Sequence, residues 1–297
     1  MSRPVKIPVI IPAYNEADSI PGLLAELRDA LPGALPIVIS DGSADDTARL
    51  AAASGATVLD LPCNLGVGGA VQAGFQYVVA SGYDLAVRID GDGQHPPAEI
   101  PKLLEKMRAA NADAVVGSRY LAPEAAAPAS APASLQSPIP HSPFPIPHSP
   151  SPQSPVPSPQ SPSKTVRGAT AARDAGNIAL ALFLSLISRC RVTDPTSGFW
   201  CVRGDLLRYF ARRYPSEYPE PEAIALLRRQ GYAFAETRVE IRPRKNGVST
   251  IDTSGMFYFA LRVSLALAAD RLRPVDRRFA KKPPPSPPSP PKKPCES

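Results

Sequence analysis

Several residue types that structural and catalytic sites often need are scarce in this chain of 297 residues. It has one tryptophan, three histidines and four cysteines. The cysteines form no CxxC pair, which argues against a zinc site or a disulfide framework and favours buried thiols. They are Cys63, Cys190, Cys201 and Cys295. His141 and His148 lie among prolines, so a hydrolase triad or a histidine-rich metal site would depend on His95 alone and is disfavoured.

Long hydrophobic runs are also absent. The longest uncharged apolar runs lie near residues 178–187 and 263–269, well short of the roughly 20 residues needed to cross a bilayer. The first residues, MSRPVKIPVIIPAYNE, reach polar side chains too soon for a secretory signal. We therefore expect a cytoplasmic protein.

The net positive charge of the chain comes from its last third. Residues 1–202 carry 14 Lys and Arg against 17 Asp and Glu, whereas residues 203–297 carry 19 against 10. A basic surface in the last third suits phosphate groups, anionic lipids or nucleic acid, and a solvated basic face is the competing interpretation.

Proline, by contrast, is abundant, and its distribution predicts the domain organisation. Of 38 prolines, 14 lie in residues 123–163 and 8 in residues 283–294. Such low-complexity segments cannot form a packed core, so we expect an α/β body split by a disordered Pro/Ser-rich insert at 122–164. The predicted parts of the body are residues 1–121 and 165–274, and a basic Pro-rich tail follows at 275–297.

Strands and helices alternate through the first part of the chain. We predict strands at residues 7–12, 35–40, 56–61, 84–89 and 113–117, with helices at 17–31, after 41–47, at 66–80 and at 98–110. Beyond the insert we predict helices at 170–188, 222–230 and 254–272, a short strand after DPTSGFW, and a strand at 232–241. This pattern is typical of a mainly parallel sheet with helices on both faces.

Polar residues follow four of the predicted strands. In such sheets ligands bind beyond the carboxyl ends of the strands. The residues there are Asn15, Glu16, Asp41, Asn64, Asp90 and Asp92. The sequence therefore predicts a ligand site at one edge of the sheet.

The turn Asp90-Gly-Asp92-Gly places two carboxylates together, which suits a hard divalent cation shared with a diphosphate. An EF-hand is excluded because its first ligand would be Arg88. A plain Asp-Gly turn is the alternative.

The glycines of NLGVGGAVQAGF, residues 64–75, allow close approach to a phosphate or tight packing on a neighbouring strand, and they lack the Rossmann spacing. Several arginines are candidates for phosphate contacts or are ordinary surface residues. They are Arg119, Arg173, Arg203, Arg242 and Arg244.

Taken in order, these motifs resemble the family 2 glycosyltransferases, within them the dolichol-phosphate mannosyltransferase-like branch that makes polyprenyl-phosphate sugars. The resemblance covers about residues 7–251 outside the insert. It rests on IPAYNE, DGSADDT, NLGVGGAVQAGF, RIDGDGQHPPAEI, GSRY, DPTSGF and RPRKNGVSTI.

The resemblance implies a GT-A (Rossmann-like) fold and inverting sugar transfer from a nucleotide-sugar to a polyprenyl phosphate, with Mg²⁺ or Mn²⁺. It implies nucleotide-sugar contacts by Pro12, Tyr14, Asn15, Glu16, Asp41, Asn64, Gly69 and Asp90. The implied metal ligands are Asp90, Asp92 and Gln94, and the implied catalytic residues are Asp92, Arg119 and Asp194. Phosphate or acceptor contacts fall to Arg119, Arg173, Ser197, Arg242, Arg244 and Ser249.

Two positions depart from the family pattern. Ser40 stands where a second aspartate is common, and Trp200 replaces the common arginine after SGF, so a phosphate contact there must come from another residue such as Arg203.

The acceptor decides the role of Asp194. A lipid phosphate is already ionised and needs no strong base, whereas a non-lipid hydroxyl acceptor would need Asp194 to remove its proton. A further alternative is a non-catalytic scaffold that presents the Pro-rich insert to partners.

The apolar stretch at residues 254–272 has two interpretations. It packs against the sheet, or residues 254–282 lie on the inner face of the membrane with their arginines and lysines near anionic head groups. We expect no nucleic-acid partner.

Overall fold

The computed structural model describes residues 6–122 and 166–243, together with residues 262, 263, 265, 268 and 281; in the second range, side chains are described from residue 176. The predicted insert and tail and nearly all of the predicted helix at 254–272 therefore lie outside the described residues.

A seven-stranded sheet forms the centre of the protein, in the spatial order β3-β2-β1-β4-β6-β5-β7. The strands are β1 (Ile7–Ala13), β2 (Ala34–Asp41), β3 (Thr57–Leu61), β4 (Leu85–Arg88), β5 (Ala114–Ser118), β6 (Trp200–Arg203) and β7 (Phe234–Arg238). All neighbours pair in parallel except β6, which runs antiparallel between β4 and β5.

In the described part of the chain, seven α-helices connect or cover the strands. They are α1 (Ile20–Ala30), α2 (Thr47–Ala53), α3 (Gly66–Ala80), α4 (Ile100–Ala109), α5 (Val166–Ser188), α6 (Gly204–Arg212) and α7 (Pro219–Arg229). A short 3₁₀ turn, Pro97–Glu99, precedes α4.

The sheet has an apolar core on each face. One core joins residues of α3, α5, α6 and α7 to the sheet, and the other joins residues of α1 and α4 to it. Alternate residues of β1 point into opposite cores, with Ile10 in the first and Val9 and Ile11 in the second. The predicted α/β class, with a mainly parallel sheet and helices on both faces, is confirmed.

The structure differs from the sequence prediction at several boundaries. Helix α6 was not predicted, although Leu206, Leu207, Phe210 and Ala211 recur at helical spacing and are buried. Helix α1 begins three residues later than predicted because residues 14–19 form a loop bound to the turn after β2. Strand β7 is shorter than the predicted residues 232–241.

The thiols only partly follow the prediction. Cys201 is buried, as expected, whereas Cys63 is exposed and Cys190 half-buried. Cys63 is exposed because it follows β3 in the loop that leads to α3.

Within the described parts of the chain, no helix combines the length and the apolar character that a membrane crossing requires.

Candidate active site

The loops after β1 and β2 are bound to each other at the carboxyl edge of the sheet. The amide oxygen of Asn15 accepts a hydrogen bond from the Ala44 amide at 2.8 Å, and the Glu16 amide donates to the Thr47 hydroxyl at 2.8 Å. Asn15 itself has a φ of 54°, in the left-handed region that asparagine tolerates better than most residues. These contacts fix the PAYNE segment beside the turn that follows β2.

A pocket of about 290 Å³ opens between these loops and the start of α3. Six of the eight residues expected to contact the nucleotide-sugar line it: Pro12, Tyr14, Glu16, Asp41, Asn64 and Asp90. Its lining consists of Pro12, Ala13, Tyr14, Glu16, Asp41, Asn64, Gly66, Val67, Ala70, Asp90, Gly91 and Asp92, whereas Asn15 lines a neighbouring pocket that also includes Asp92.

The other two of the eight expected residues, Asn15 and Gly69, lie outside this pocket. Asn15 lies in the neighbouring pocket of about 180 Å³, with Glu26, Asp92 and Arg242. Gly69 lies within α3, where a Cβ would come 2.6 Å from the Cβ of Leu65. The glycine there serves helix packing in the described structure.

Asp41 is buried and lines the pocket. Its carboxylate accepts a hydrogen bond from the Leu65 amide at 2.7 Å, immediately before α3 begins. This contact ties the end of β2 to the entry of the glycine-rich helix. Within that helix, Gly68 packs so closely that a Cβ would lie 2.2 Å from the carbonyl oxygen of Pro215. The tight-packing interpretation of the glycines therefore applies to Gly68.

Hydrogen bonds donated by three backbone amides hold the Asp90–Asp92 turn in place. The Gly91 amide donates to the Pro12 carbonyl at 3.2 Å, the Gln94 amide donates to Asp92 Oδ1 at 3.0 Å, and the Asp90 amide donates to His95 Nδ1 at 3.1 Å. Burial lowers the pKa of His95, which fits a neutral ring that accepts the Asp90 amide hydrogen.

Arg88 lies directly behind Asp90 and is almost completely buried, with 2% of its side chain exposed. Its guanidinium donates to Glu220 at 2.8 Å, to Asp90 at 3.2 Å and to the Tyr214 hydroxyl at 3.3 Å. Burial opposes the charge of Arg88, but the two carboxylates outweigh that effect and raise its pKa. Burial raises the pKa of Glu220, and Arg88 opposes that shift.

Sequence reasoning missed the Arg88 network. An arginine inside the apolar strand sequence LAVRID was the available signal, since arginine is almost never fully buried unless it is paired. Nothing in the sequence identified Glu220 or Tyr214, which lie more than 120 residues further along the chain.

Gly198 brings the DPTSGF loop against the Asp90 carboxylate. A Cβ at this glycine would lie 2.5 Å from Asp90 Oδ2, so only glycine fits here without a shift of the carboxylate. The DPTSGF loop, which begins at Asp194, is therefore in direct contact with the turn that carries Asp90 and Asp92.

Arg119 and Asp194 form a two-pronged ion pair. The Nε and one terminal nitrogen of Arg119 donate to the two oxygens of Asp194 at 2.7 and 2.8 Å, and the Arg119 amide donates at 3.1 Å. Asp194 is 0% exposed, whereas Arg119 is 37% exposed. Both oxygens of Asp194 are therefore engaged by Arg119.

Glu236 on β7 supports this pair from behind. It accepts hydrogen bonds from the amides of Thr193 and Asp194 at 2.9 and 3.1 Å, and from the Thr193 hydroxyl at 2.8 Å. Burial raises the pKa of Glu236, and these hydrogen bonds oppose the shift. Sequence reasoning missed Glu236, whose strand carried no distinctive motif.

Other residues predicted to contact phosphate or acceptor are placed as follows. Ser197 is buried and donates to the Gly117 carbonyl at 2.6 Å. Arg242 pairs with Glu26 at 2.7 Å beside the smaller pocket. The side chains of Arg173, Arg244 and Ser249 lie outside the described part of the chain.

The suggestion that Arg203 replaces the arginine missing at Trp200 is wrong. Because β6 runs antiparallel to β4, its last residue lies beside Leu85, at the edge opposite the site, where Arg203 donates to Asn111. Trp200 is buried and donates to the Ser197 carbonyl at 2.7 Å, so it stabilises the DPTSGF loop.

An apolar groove of about 850 Å³ begins next to the Arg119–Asp194 pair. Tyr120 and Thr193 line one end, and helix α5 forms one wall. Along α5, Ile178, Leu182 and Leu186 are 58, 67 and 78% exposed and stand four residues apart, so they form one apolar stripe. We call this feature the α5 groove.

Comparison with known proteins finds a family match for the first part of the chain. Residues 9–134 match the model of the family described as glycosyl transferase family 2. This segment is therefore similar to the family 2 glycosyltransferases. The predicted resemblance is thereby confirmed.

Two curated proteins with related sequences are similar to this segment. It is 42% identical over 120 residues to an undecaprenyl-phosphate mannosyltransferase of Micrococcus luteus, covering 39% of this chain and 49% of that protein. It is 36% identical over 119 residues to a polyprenol monophosphomannose synthase of Mycolicibacterium smegmatis, covering 38% and 44%. The chain thus spans about half the length of these relatives.

The similarity to solved structures extends beyond residues 9–134. One is glucosyl-3-phosphoglycerate synthase of Mycobacterium tuberculosis in complex with Mn²⁺, UDP-glucose and phosphoglyceric acid, at 20% identity and a TM-score of 0.55. The match covers 89% of this chain and 80% of that one. At this identity the likeness concerns the fold, and the predicted GT-A fold is confirmed.

Proposed function

We propose that the protein is an inverting, metal-dependent glycosyltransferase that moves a sugar from a nucleotide-sugar to a polyprenyl phosphate. One observation carries the proposal: Gly198 joins the pocket beside Asp90 and Asp92 to the Arg119–Asp194 pair, so donor and acceptor groups share one site. The family 2 match and the polyprenyl-phosphate relatives support the same conclusion.

The donor side has the shape and chemistry for a nucleotide diphosphate. Residues of four loops at the carboxyl edge line the larger pocket, which is where α/β sheets bind such ligands. We assign the nucleotide to Asp41, Asn64 and the PAYNE segment, and the diphosphate to the side of the pocket next to Asp90 and Asp92.

The carboxylates of Asp90 and Asp92 fit Mg²⁺ or Mn²⁺. These hard cations are commonly held by one or two carboxylates, with other oxygens coming from substrate phosphates and water. No group of three or more acidic, histidine or cysteine side chains that could hold a metal ion occurs among the described residues, so in this proposal the diphosphate and water supply the remaining ligands. Gln94 is the third proposed protein ligand. When bound, the cation would stabilise the charge of the departing diphosphate.

The geometry of Asp194 favours a phosphate acceptor over a hydroxyl acceptor. Both of its oxygens accept hydrogen bonds from Arg119, and it is fully buried, so it is poorly placed to remove a proton. A phosphate acceptor is already ionised and needs no base. In this proposal Asp194 orients the Arg119 guanidinium, which attracts the acceptor phosphate and leaves its oxygen to attack the anomeric carbon.

The α5 groove supports a lipid acceptor. It is apolar, begins beside Arg119 and Asp194, and carries Arg189 and Arg191 in its lining. A polyprenyl chain would cover the exposed stripe of Ile178, Leu182 and Leu186 while its phosphate lies at Arg119. Contact with the inner face of a membrane, including residues 254–282, belongs to the same proposal.

The decisive assay supplies a panel of nucleotide-sugars, Mn²⁺ and a short polyprenyl phosphate, and measures which donor is consumed. We expect one donor to be consumed only when the acceptor is present, with inversion at the anomeric carbon by NMR. Consumption of no donor under any of these conditions would contradict the proposal and leave the scaffold interpretation.

The Asp194→Asn variant separates the two acceptor classes. If Asp194 only orients Arg119, the amide oxygen still accepts a hydrogen bond and the loss in kcat is about 10-fold; a general base would cost about 10² to 10⁴-fold. Asp205→Asn is the matched control, since Asp205 is exposed and pairs with Arg208 far from the site.

A further inference from the structure

In the sugar-transfer proposal Asp90 is a ligand of the divalent cation, and Arg88 contacts the carboxylate of Asp90. Arg88 contacts Asp90 on one side and Glu220 on the other, and neither Arg88 nor Glu220 belongs to the pocket lining. A buried ion pair is weak evidence for stability, because apolar residues of similar volume often serve the core equally well. The charges therefore call for another explanation.

The position of the Asp90 carboxylate is defined on three sides. Arg88 donates to Oδ1 at 3.2 Å, Gly198 allows no room beside Oδ2, and the His95 ring nitrogen lies 3.6 Å from Oδ2. The carboxylate still remains 34% exposed toward the pocket. The contact with Arg88 is a charge-assisted hydrogen bond, which favours one rotation of the carboxylate.

Glu220 determines how strongly Arg88 competes for Asp90. The Arg88–Glu220 distance is 2.8 Å, shorter than the 3.2 Å to Asp90, so Glu220 neutralises much of the guanidinium charge. A second guanidinium nitrogen of Arg88 donates to the Tyr214 hydroxyl, which helps to hold Arg88 between the two carboxylates. Asp90 thus keeps a fixed direction and enough negative charge to bind a cation.

We propose that Arg88 and Glu220 are positioning residues for the divalent cation: Arg88 orients Asp90, and Glu220 keeps the charge of Arg88 from neutralising it. This inference rests on the proposed function only in that Asp90 is a cation ligand. Residues that orient metal ligands typically change metal affinity by about 10- to 100-fold when removed.

The first test is Glu220→Gln, with Mn²⁺ binding to the full chain measured by the electron paramagnetic resonance of free Mn²⁺. Without the Glu220 charge, Arg88 pairs more fully with Asp90, and we expect the Kd for Mn²⁺ to rise about 10-fold or more. Glu222→Gln, two residues further along α7, is the control and should bind Mn²⁺ like the unmodified chain.

The second test removes both charges in the variant Arg88→Met/Glu220→Leu. The net charge around Asp90 is unchanged, and such replacements often leave stability intact, so a change in Kd reports lost orientation. We expect a melting temperature near that of the unmodified chain and a Kd for Mn²⁺ raised by about 10- to 100-fold. If this variant does not fold, the Glu220→Gln result decides.

Unchanged Mn²⁺ affinity in a folded double variant, or in Glu220→Gln, would overturn the inference. A chain that binds no Mn²⁺ without any substitution would instead contradict the metal site of the proposed function. The two failures are therefore distinguishable.

Discussion

Removing Arg119 should destabilise the protein by an amount that the ion pair with Asp194 makes predictable. In Arg119→Met, Asp194 keeps only the backbone amide of residue 119 and a 3.4 Å contact with the Thr196 hydroxyl, and it is 0% exposed. Breaking a buried ion pair from one side costs about 3 to 5 kcal/mol. Because Arg119 is 37% exposed, water can reach part of the vacated site, and we expect about 2 to 3 kcal/mol.

A double variant tests whether the loss comes from the stranded charge. In Arg119→Met/Asp194→Asn the buried group is neutral and its oxygen still accepts from the residue 119 amide. We expect the double variant to lose only about 1 kcal/mol, less than Arg119→Met alone, because no unpaired carboxylate remains. Asp194→Asn alone should also lose about 1 kcal/mol, since Arg119 can reach solvent.

Urea denaturation of the four proteins, followed by circular dichroism, measures these free energies. The m values should agree, so that shifts in the midpoint report stability. The reasoning is refuted if Arg119→Met costs less than about 1 kcal/mol, or if the losses of the two single variants simply add in the double variant.

Two further outcomes follow from the site. Asp92→Asn should lower metal-dependent transfer by about 100-fold or more, because a cation ligand is lost. The circular dichroism spectrum should be unchanged, because the Gln94 amide can still donate to the asparagine oxygen. Retained activity would contradict the metal assignment. Leu182→Glu should raise the KM for a long-chain polyprenyl phosphate by about 5- to 30-fold, from about 1 to 2 kcal/mol of lost apolar burial, and leave the KM for the nucleotide-sugar unchanged. Asp46→Lys, at the exposed residue that precedes α2, is the control for a surface charge change.

The first five strands and the edge of the sheet that carries the site could be predicted from the sequence. Short apolar runs such as IPVII, each followed by polar residues, show both the strands and their carboxyl ends. Parallel pairing then brings those ends together, which is why six of the eight expected donor residues line one pocket.

Contacts between distant segments could not be predicted in the same way. Arg119 and Asp194 were each expected in the site, but their pairing joins positions 75 residues apart and depends on β5 and β6 lying side by side. The antiparallel direction of β6 likewise could not be read from four residues, and it is what moves Arg203 to the opposite edge. Helix α6 had a readable apolar spacing, but it is only nine residues long.

Asp90 and Asp194 show how the same pairing can give two carboxylates different tasks. Each accepts hydrogen bonds from an arginine, but Asp194 engages Arg119 with both oxygens and is fully buried, whereas Asp90 shares Arg88 with Glu220 and is 34% exposed. Both carboxylate oxygens of Asp194 are therefore bonded to Arg119, and the guanidinium of Arg119 faces the proposed acceptor side. Arg88 neutralises the charge of Asp90 only in part, because it also pairs with Glu220, and the Asp90 carboxylate lines the donor pocket. Because a cation needs an accessible and incompletely neutralised carboxylate, the structure favours Asp90 as the ligand and Asp194 as the support of Arg119.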